Sequence, residues 1–229
     1  MEQYKDVCAV SKRLAVLLDF DGTLTQRDLG EQLLDAFADS GWRSEAEAWH
    51  AGRVSFKVMN EREFAYLPAD KRQEMEKYAT EHARLRDGAL ELVSYCKEED
   101  IPVEIVSGGL DFYIRAVLAK FDLAHLPVLC LKQADFTQGN GVVVSYPDGV
   151  VVCETTGACK CSRLWSYQER GFRVLFVGDG SSDRCIAAKA DVLYARGSLA
   201  RFCSDQGIPF TEYESLNEVA DGLHSLLEA

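Results

Sequence analysis

Two aspartates two residues apart follow an apolar segment of the chain. Residues 14–18 read Leu-Ala-Val-Leu-Leu, a pattern typical of a buried strand, and Asp19 and Asp21 come after it. Paired carboxylates at the end of a strand can divide the work of cleaving a phosphate ester. One attacks phosphorus to form an aspartyl-phosphate, and the other protonates the departing alcohol before water completes the hydrolysis. We therefore interpret this pair as catalytic.

Two further carboxylates follow a second apolar segment. Residues 174–177 predict another buried strand, and Asp179 and Asp183 lie in the glycine-rich loop after it. Carboxylates from two loops at one edge of a sheet would repel one another unless a cation lies among them. Oxygen ligands favour a hard, octahedral ion that leaves a position for a substrate phosphate. The sequence therefore predicts a Mg²⁺ site.

A hydroxyl, backbone amides and an ammonium group are available to hold the phosphate. Ser107 and Gly108 follow a third predicted strand, 102–106, where we expect a helix to begin and its dipole to favour an anion. Ordinary capping of that helix is the alternative role for Ser107. Lys160 lies at the predicted start of another helix and could reach both the phosphate and the nucleophile. Its alternative is a solvated surface lysine.

The elements that must position these residues alternate along the chain. Helices are predicted between the strands at about 87–99, 110–121, 160–170 and 183–189. This alternation indicates an α/β fold with a Rossmann-like, three-layer core around a parallel sheet, whose ligands bind at the carboxyl ends of the strands. A glycine turn at 139–141 before the apolar segment 142–146 predicts a short hairpin at the sheet's edge.

A long helical insertion separates the first two motifs. Residues 27–85 carry apolar residues at helical spacing and predict a cap, which leaves 1–26 and 86–229 as the catalytic core. Asp28 and Arg53 are candidates for substrate specificity, although Asp28 is also suited to cap the first helix of the insertion. Three aromatic residues of the cap either pack its interior or face the leaving group: Trp42, Trp49 and Phe56.

The composition excludes several classes of protein. The 229 residues carry a formal net charge of −12 and no basic run, so we expect no nucleic-acid partner. No apolar stretch reaches the roughly 18 to 20 residues of a membrane span, and residues 1–13 do not resemble a secretory signal. We therefore expect a cytoplasmic protein. From the paired carboxylates, we expect its partner to be a small phosphorylated metabolite. The eight cysteines are expected to be mostly buried, reduced thiols, with a metal site at 153–161 as a weaker alternative.

The motifs, in this order, resemble those of the haloacid dehalogenase superfamily. DFDGTLT at 19–25 matches its first motif, Ser107 the second, Lys160 the third, and GDGSSD at 178–183 the fourth. The resemblance covers most of the predicted core. It implies that fold, with an inserted cap, and a magnesium-dependent activity.

The resemblance also implies a role for each matched residue. Asp19 would be the nucleophile and a magnesium ligand, and Asp21 the general acid, whose backbone carbonyl also binds the metal. Asp179 would be a third ligand, and Asp183 would support the metal or its waters. Three residues would hold the phosphate: Ser107, Gly108 and Lys160.

The type of reaction follows from Asp21 and from the position of the cap. A carboxylate at Asp21 favours a phosphatase or a phosphomutase, and a cap between the first two motifs resembles the phosphoserine-phosphatase-like branch. Many phosphoserine phosphatases carry asparagine where this chain has Ser182. This difference argues against phosphoserine as the substrate.

A narrower resemblance, carried by 157–160 and 187–191, is to methionine-salvage phosphatases acting on 2-hydroxy-3-keto-5-methylthiopentenyl phosphate, although Cys161 replaces their usual proline. Phosphoserine hydrolysis, phosphomutase activity and a phospho-aspartate signalling module stay open as alternatives.

Overall fold

A seven-stranded sheet forms the centre of the computed structural model, which describes residues 13–134, 140–149 and 151–228. Its strands are β1 (Arg13–Leu18), β2 (Val103–Leu110), β3 (Val128–Gln133), β4 (Val144–Ser145), β7 (Phe172–Gly178), β8 (Val192–Ala195) and β9 (Thr211–Glu212). The spatial order is β4-β3-β2-β1-β7-β8-β9, and only β4 is antiparallel to its neighbour. Two short strands, β5 (Val152–Cys153) and β6 (Gly157–Ala158), pair with each other outside this sheet.

Ten α-helices surround the sheet in the described part of the chain. Four lie in the insertion: α1 (Leu29–Phe37), α2 (Arg43–His50), α3 (Phe56–Phe64) and α4 (Arg72–His82). Six follow it: α5 (Ala89–Glu98), α6 (Asp111–Lys120), α7 (Lys160–Glu169), α8 (Arg184–Ala187), α9 (Gly197–Gln206) and α10 (Leu216–Glu228).

The central strand faces two separate apolar cores. Leu14, Val16 and Leu18 belong to one core together with residues of α5, α6 and α10. Ala15 and Leu17 belong to the other, with residues of α7, α8 and α9. Because helices cover both faces of a mostly parallel sheet, the strands read as continuous apolar runs. The predicted α/β, three-layer fold class is confirmed.

The register of the sheet aligns the ends of its three central strands. Leu18 of β1 pairs with Ile105 of β2 on one side and with Val177 of β7 on the other. Since the three strands are parallel, the segments that follow these residues emerge at the same edge. This alignment brings together the parts of the chain that carry the predicted site.

Strand β2 is longer than the sequence indicates. It continues through Ser107, Gly108 and Gly109 to Leu110, with an irregularity in its pairing with β3. Glycine allows such a bulge because it has no side chain to accommodate. Helix α6 begins at Asp111, close to the predicted start at about residue 110. The expectation that Ser107 and Gly108 lie at the start of this helix is wrong, and so is the alternative that Ser107 caps it, because both residues belong to β2.

The insertion leaves and rejoins the core at adjacent positions, where Thr25 and Leu85 form an antiparallel bridge. The division into a core of 1–26 and 86–229 and a cap of 27–85 stays a prediction.

The hairpin strand β4 lies at the edge of the sheet as predicted, and Gly139 of its turn lies outside the described residues.

Among the described helices, none combines the length and apolar character needed to cross a membrane.

Seven cysteines are free thiols, five of them buried, and the eighth, Cys8, lies outside the described residues.

Candidate active site

Asp19 follows β1 directly and is almost completely buried. Its N–H donates to the carbonyl of Val177 at 3.0 Å, and its Oδ1 accepts a hydrogen bond from Nζ of Lys160 at 2.6 Å. Burial raises the pKa of Asp19, the Lys160 ammonium lowers it, and Asp183 and Asp179 raise it again, so that the net shift is upward. Added positive charge would counter that shift because it favours the ionised carboxylate.

Lys160, the first residue of α7, bridges two buried carboxylates. Its Nζ lies 2.6 Å from Oδ1 of Asp19 and 2.6 Å from Oδ1 of Asp183, and its side chain is only 4% exposed. Burial favours the neutral amine, but the carboxylates of Asp183 and Asp19 outweigh it and raise the pKa of Lys160. The group therefore stays a charged ammonium beside the predicted nucleophile.

Asp183 organises the loop after β7. Its Oδ2 accepts hydrogen bonds from the N–H groups of Asp179 at 3.2 Å and Gly180 at 3.1 Å. Its other oxygen is the one that contacts Lys160. One fully buried side chain thus fixes both this loop and the ammonium.

The carboxylates of Asp19, Asp179 and Asp183 form a cluster whose ligand atoms lie within 4.8 Å of one another. No other group of three or more potential metal ligands in the described ranges comes as close together. Burial, followed by the charge of Asp183, raises the pKa of Asp179 to about 6. An all-oxygen set of clustered carboxylates fits a hard divalent cation such as Mg²⁺.

Gly22 allows the two loops of this cluster to approach. A Cβ at Gly22 would lie 2.3 Å from Oδ2 of Asp179, and its φ of +74° lies in the left-handed region. A larger residue would meet both a clash and backbone strain. The glycine of the first motif is therefore required by the packing of the carboxylate cluster.

Asp21 is held from two sides. Its Oδ1 accepts a hydrogen bond from the N–H of Leu29 at 2.8 Å, and its Oδ2 accepts one from the hydroxyl of Tyr113 at 2.6 Å. Burial and then the charge of Asp28 raise the pKa of Asp21 to about 8, although both hydrogen bonds oppose the shift. A carboxyl with such a pKa is largely protonated at neutral pH and can donate a proton.

Ser107 and Gly108 line the same cavity as the two aspartates. The hydroxyl of Ser107 accepts a hydrogen bond from the N–H of Gly109 at 2.9 Å. The carbonyl of Gly108 accepts one from Nδ2 of Asn60, on α3, at 2.8 Å. A residue of the insertion therefore contacts the predicted phosphate loop directly.

The cavity has a volume of about 430 Å³, and its wall opposite the core is largely apolar. This wall is formed by Leu34, Trp42, Trp49, Phe56, Met59 and Phe64. Asp28, Glu31 and Glu63 add carboxylates to it. Burial and the nearby charges of Asp28, Glu31 and Glu45 raise the pKa of Glu63 to about 7.

The two residues predicted to set specificity differ in their surroundings. Asp28 caps α1 by accepting a hydrogen bond from the N–H of Glu31 at 2.8 Å, and it also lines the cavity. Its role in specificity stays a prediction. Arg53 lies exposed between α2 and α3 and is not among the residues that line the cavity.

Sequence reasoning missed Arg86, which supports the loop that carries both aspartates. Its guanidinium donates to the carbonyl of Gly22 at 2.5 Å and to that of Thr23 at 2.9 Å. Arg86 is 8% exposed, so few waters could replace it. Asn60, Glu63 and Tyr113 were missed as well, because each contacts or lines the site from a helix that has no recognisable motif.

The comparisons agree with this geometry. A model of haloacid dehalogenase-like hydrolases matches residues 16–188. The 2-hydroxy-3-keto-5-methylthiopentenyl-1-phosphate phosphatase of Brevibacillus brevis is 31% identical over 212 residues, covering 92% of this chain and 95% of that protein. The enzyme of the same name from Geobacillus kaustophilus is 30% identical, covering 95% and 98%. A phosphoserine phosphatase with an analogue of its phospho-aspartyl intermediate has a similar fold, with a TM-score of 0.65 at 18% identity over 92% of this chain and 98% of that one.

The chain therefore belongs to the haloacid dehalogenase-like hydrolase family. Within that family it is a phosphatase, a phosphoric monoester hydrolase. The resemblance to this superfamily and to its methionine-salvage phosphatases is confirmed.

Proposed function

We propose that the protein is a magnesium-dependent phosphatase that hydrolyses a small-metabolite phosphomonoester through an aspartyl-phosphate at Asp19. The observation that carries this proposal is the shared cavity of Asp19 and Asp21. In it, Asp19 contacts a buried ammonium, and Asp21 has a raised pKa that suits an acid. Two carboxylates in such unequal surroundings are suited to unequal roles.

The first step forms one bond to phosphorus and breaks another. A carboxylate oxygen of Asp19 attacks phosphorus, while Lys160 holds that carboxylate in place through Oδ1. As the bond from phosphorus to the ester oxygen breaks, Asp21 gives its proton to that oxygen, and the alcohol leaves. In the second step a water molecule attacks the aspartyl-phosphate, Asp21 takes a proton from it, and inorganic phosphate and free Asp19 result.

The phosphate would be held by the hydroxyl of Ser107, the backbone N–H of Gly108 and the ammonium of Lys160. Mg²⁺ would be held by Asp19, Asp179 and the backbone carbonyl of Asp21, and Asp183 would position the cluster. The ion supplies positive charge that lowers repulsion between the carboxylates and the phosphate.

For the substrate we propose 2-hydroxy-3-keto-5-methylthiopentenyl-1-phosphate, which gives the relatives their name. The apolar wall of Trp49, Phe56 and Met59 supports this choice because a methylthio group is apolar and a thioether makes favourable contacts with aromatic rings. The carboxylates of Asp28 and Glu63 are acceptors for a substrate hydroxyl.

A panel of phosphate esters tests the proposal. It contains the methylthiopentenyl ester, phosphoserine and several sugar phosphates, each with Mg²⁺ or with a chelator. We expect phosphate release that depends on the metal and is lost in Asp19→Asn, while the matched surface variant Asp205→Asn keeps it. Release from no ester above the level of Asp19→Asn would refute the phosphatase proposal.

The remaining alternatives give different results in the same panel. Preferential hydrolysis of phosphoserine would replace the proposed substrate. Movement of phosphate between positions of a substrate without net release would indicate a phosphomutase. A phosphorylated Asp19 that persists and changes the binding of a protein partner would indicate a signalling module.

A further inference from the structure

Tyr113 has an unusual place in this site, because its hydroxyl belongs to a fully buried residue and still lies at the cavity. It donates to Oδ2 of Asp21 at 2.6 Å, while the N–H of Leu29 donates to Oδ1 at 2.8 Å. One donor comes from α6 of the core and the other from the first turn of α1 in the insertion. Together they fix the orientation of the carboxyl group.

The surroundings of Tyr113 are built to keep its hydroxyl in place. A Cβ at Gly109 would lie 1.8 Å from this hydroxyl, and one at Gly30 would lie 3.2 Å from it. Neither glycine has a positive φ, so the backbone alone does not demand glycine at these positions. The ring also packs against Phe20 and Phe112, with centroid distances of 6.2 and 5.6 Å. The two glycines therefore leave free the space that the hydroxyl occupies beside Asp21.

The length and direction of this hydrogen bond suit a group that gains negative charge. When Asp21 gives its proton to the departing alcohol it becomes a carboxylate. An O–H···O⁻ hydrogen bond of about 2.5 to 2.7 Å is stronger than a neutral one. An interaction that strengthens as the proton leaves stabilises the transition state more than the bound substrate.

We propose that Tyr113 is a positioning residue for the general acid: it orients the Asp21 carboxyl and stabilises the charge that forms there as the alcohol leaves. This inference rests on the proposed function, in which Asp21 is that acid. It predicts that Tyr113 matters only for leaving groups that need a proton.

Two esters of similar shape separate this role from a structural one. Benzyl phosphate releases an alcohol that needs protonation, whereas p-nitrophenyl phosphate releases a stable phenolate that needs little. The value of kcat/KM is compared because it reports the steps up to release of the alcohol. In Tyr113→Phe we expect a loss of about tenfold or more for benzyl phosphate, the scale of a lost hydrogen bond to a charged group. For p-nitrophenyl phosphate we expect a loss of less than about twofold, since no such charge forms on Asp21.

Two further variants complete the test. In the background of Asp21→Asn, the change Tyr113→Phe should cost nothing more for benzyl phosphate, because the group it serves is gone. The control is Tyr194→Phe, which removes a confined hydroxyl of another buried tyrosine that does not line the cavity. It should leave both esters unaffected. Retained turnover of p-nitrophenyl phosphate also reports that Tyr113→Phe has folded.

Each other outcome has a definite meaning. Equal losses for the two esters in Tyr113→Phe would overturn the positioning role and leave the proposed function intact. A further loss in the Asp21→Asn background would overturn it as well. A wild-type protein that releases phosphate from neither of these esters, nor from any ester of the earlier panel, with Mg²⁺ present would overturn the role of Asp21 and, with it, this inference.

Discussion

Replacing Lys160 by methionine should destabilise the protein in a manner that depends on pH. The variant keeps most of the aliphatic volume but removes an ammonium that lies 2.6 Å from both Asp19 and Asp183. Breaking a buried ion pair by removing one partner costs about 3 to 5 kcal/mol. No discount for solvent applies, because the side chains of all three residues are at most 7% exposed.

The cost should grow with pH for a definite reason. Two carboxylates, Asp19 and Asp183, are left without the ammonium. Binding a proton relieves this isolation, and burial already raises the pKa of Asp19 above its ordinary value of 3.8. A group whose pKa is higher in the folded than in the unfolded state loses its stabilising contribution as the pH rises through the folded pKa. The variant should therefore be closest to wild type in mild acid and furthest from it in mild alkali.

Urea unfolding in the presence of a chelator measures this effect. In a chain of this size, about 1 kcal/mol of stability corresponds to 2 to 4 °C in Tm. The loss expected at about pH 8 should therefore also appear in a thermal melt, as a fall in Tm of roughly 10 °C. The matched control is Lys97→Met on an exposed part of α5, which should change the free energy of unfolding by less than about 0.5 kcal/mol. A Lys160→Met variant as stable as wild type at both pH values, or least stable in acid, would refute the reasoning.

Three other changes have expected results. Asp179→Asn removes one carboxylate of the cluster and should raise the Mg²⁺ concentration for half-maximal activity about tenfold or more, as a metal titration would show. Arg86→Met removes the donor to the buried carbonyl of Thr23 and the shorter of two donors to that of Gly22, which Arg196 also reaches at 3.4 Å; at about 1 to 3 kcal/mol for a lost bond, it should lower the Tm measured by calorimetry. Trp49→Ala removes apolar surface from the cavity and should raise KM about tenfold for an ester with an apolar leaving group, with little change in kcat.

Each of these predictions has a matched control. Asp205→Asn should leave the metal titration unchanged, and Arg201→Met should leave the Tm unchanged, since both residues are exposed on α9. Trp165→Ala removes a tryptophan that is 47% exposed on α7, outside the cavity, and should leave KM unchanged. An unshifted metal titration, an unshifted Tm or an equal KM effect from both tryptophans would contradict the corresponding prediction.

The strands and helices of the core could be predicted because their signals are local. The apolar segments before Asp19 and Asp179 are buried strands, and Lys160 begins a helix as expected. The expected position of Ser107 at the start of a helix was wrong because the strand continues through two glycines, which are ambiguous between a turn and a bulge, although the helix itself begins near residue 110 as predicted.

The supporting contacts of the site could not be predicted from the sequence because they join distant parts of the chain. Tyr113 lies 92 residues from Asp21, and Asn60 lies 48 residues from Gly108. Neither residue belongs to a motif, and each becomes recognisable only when its helix is packed against the sheet. The same holds for Arg86, 64 residues from Gly22, whose guanidinium reads in the sequence as an ordinary surface charge.

The most direct test of the account is to trap the covalent intermediate. The protein is mixed with the ester that it hydrolyses best and with Mg²⁺, quenched rapidly, and treated with borohydride, which reduces an aspartyl-phosphate to homoserine. Peptide mass spectrometry should then find homoserine at position 19, and no homoserine in a sample without substrate. Continued turnover with Asp19 unmodified, or homoserine at another aspartate, would contradict the assignment of Asp19 as the nucleophile.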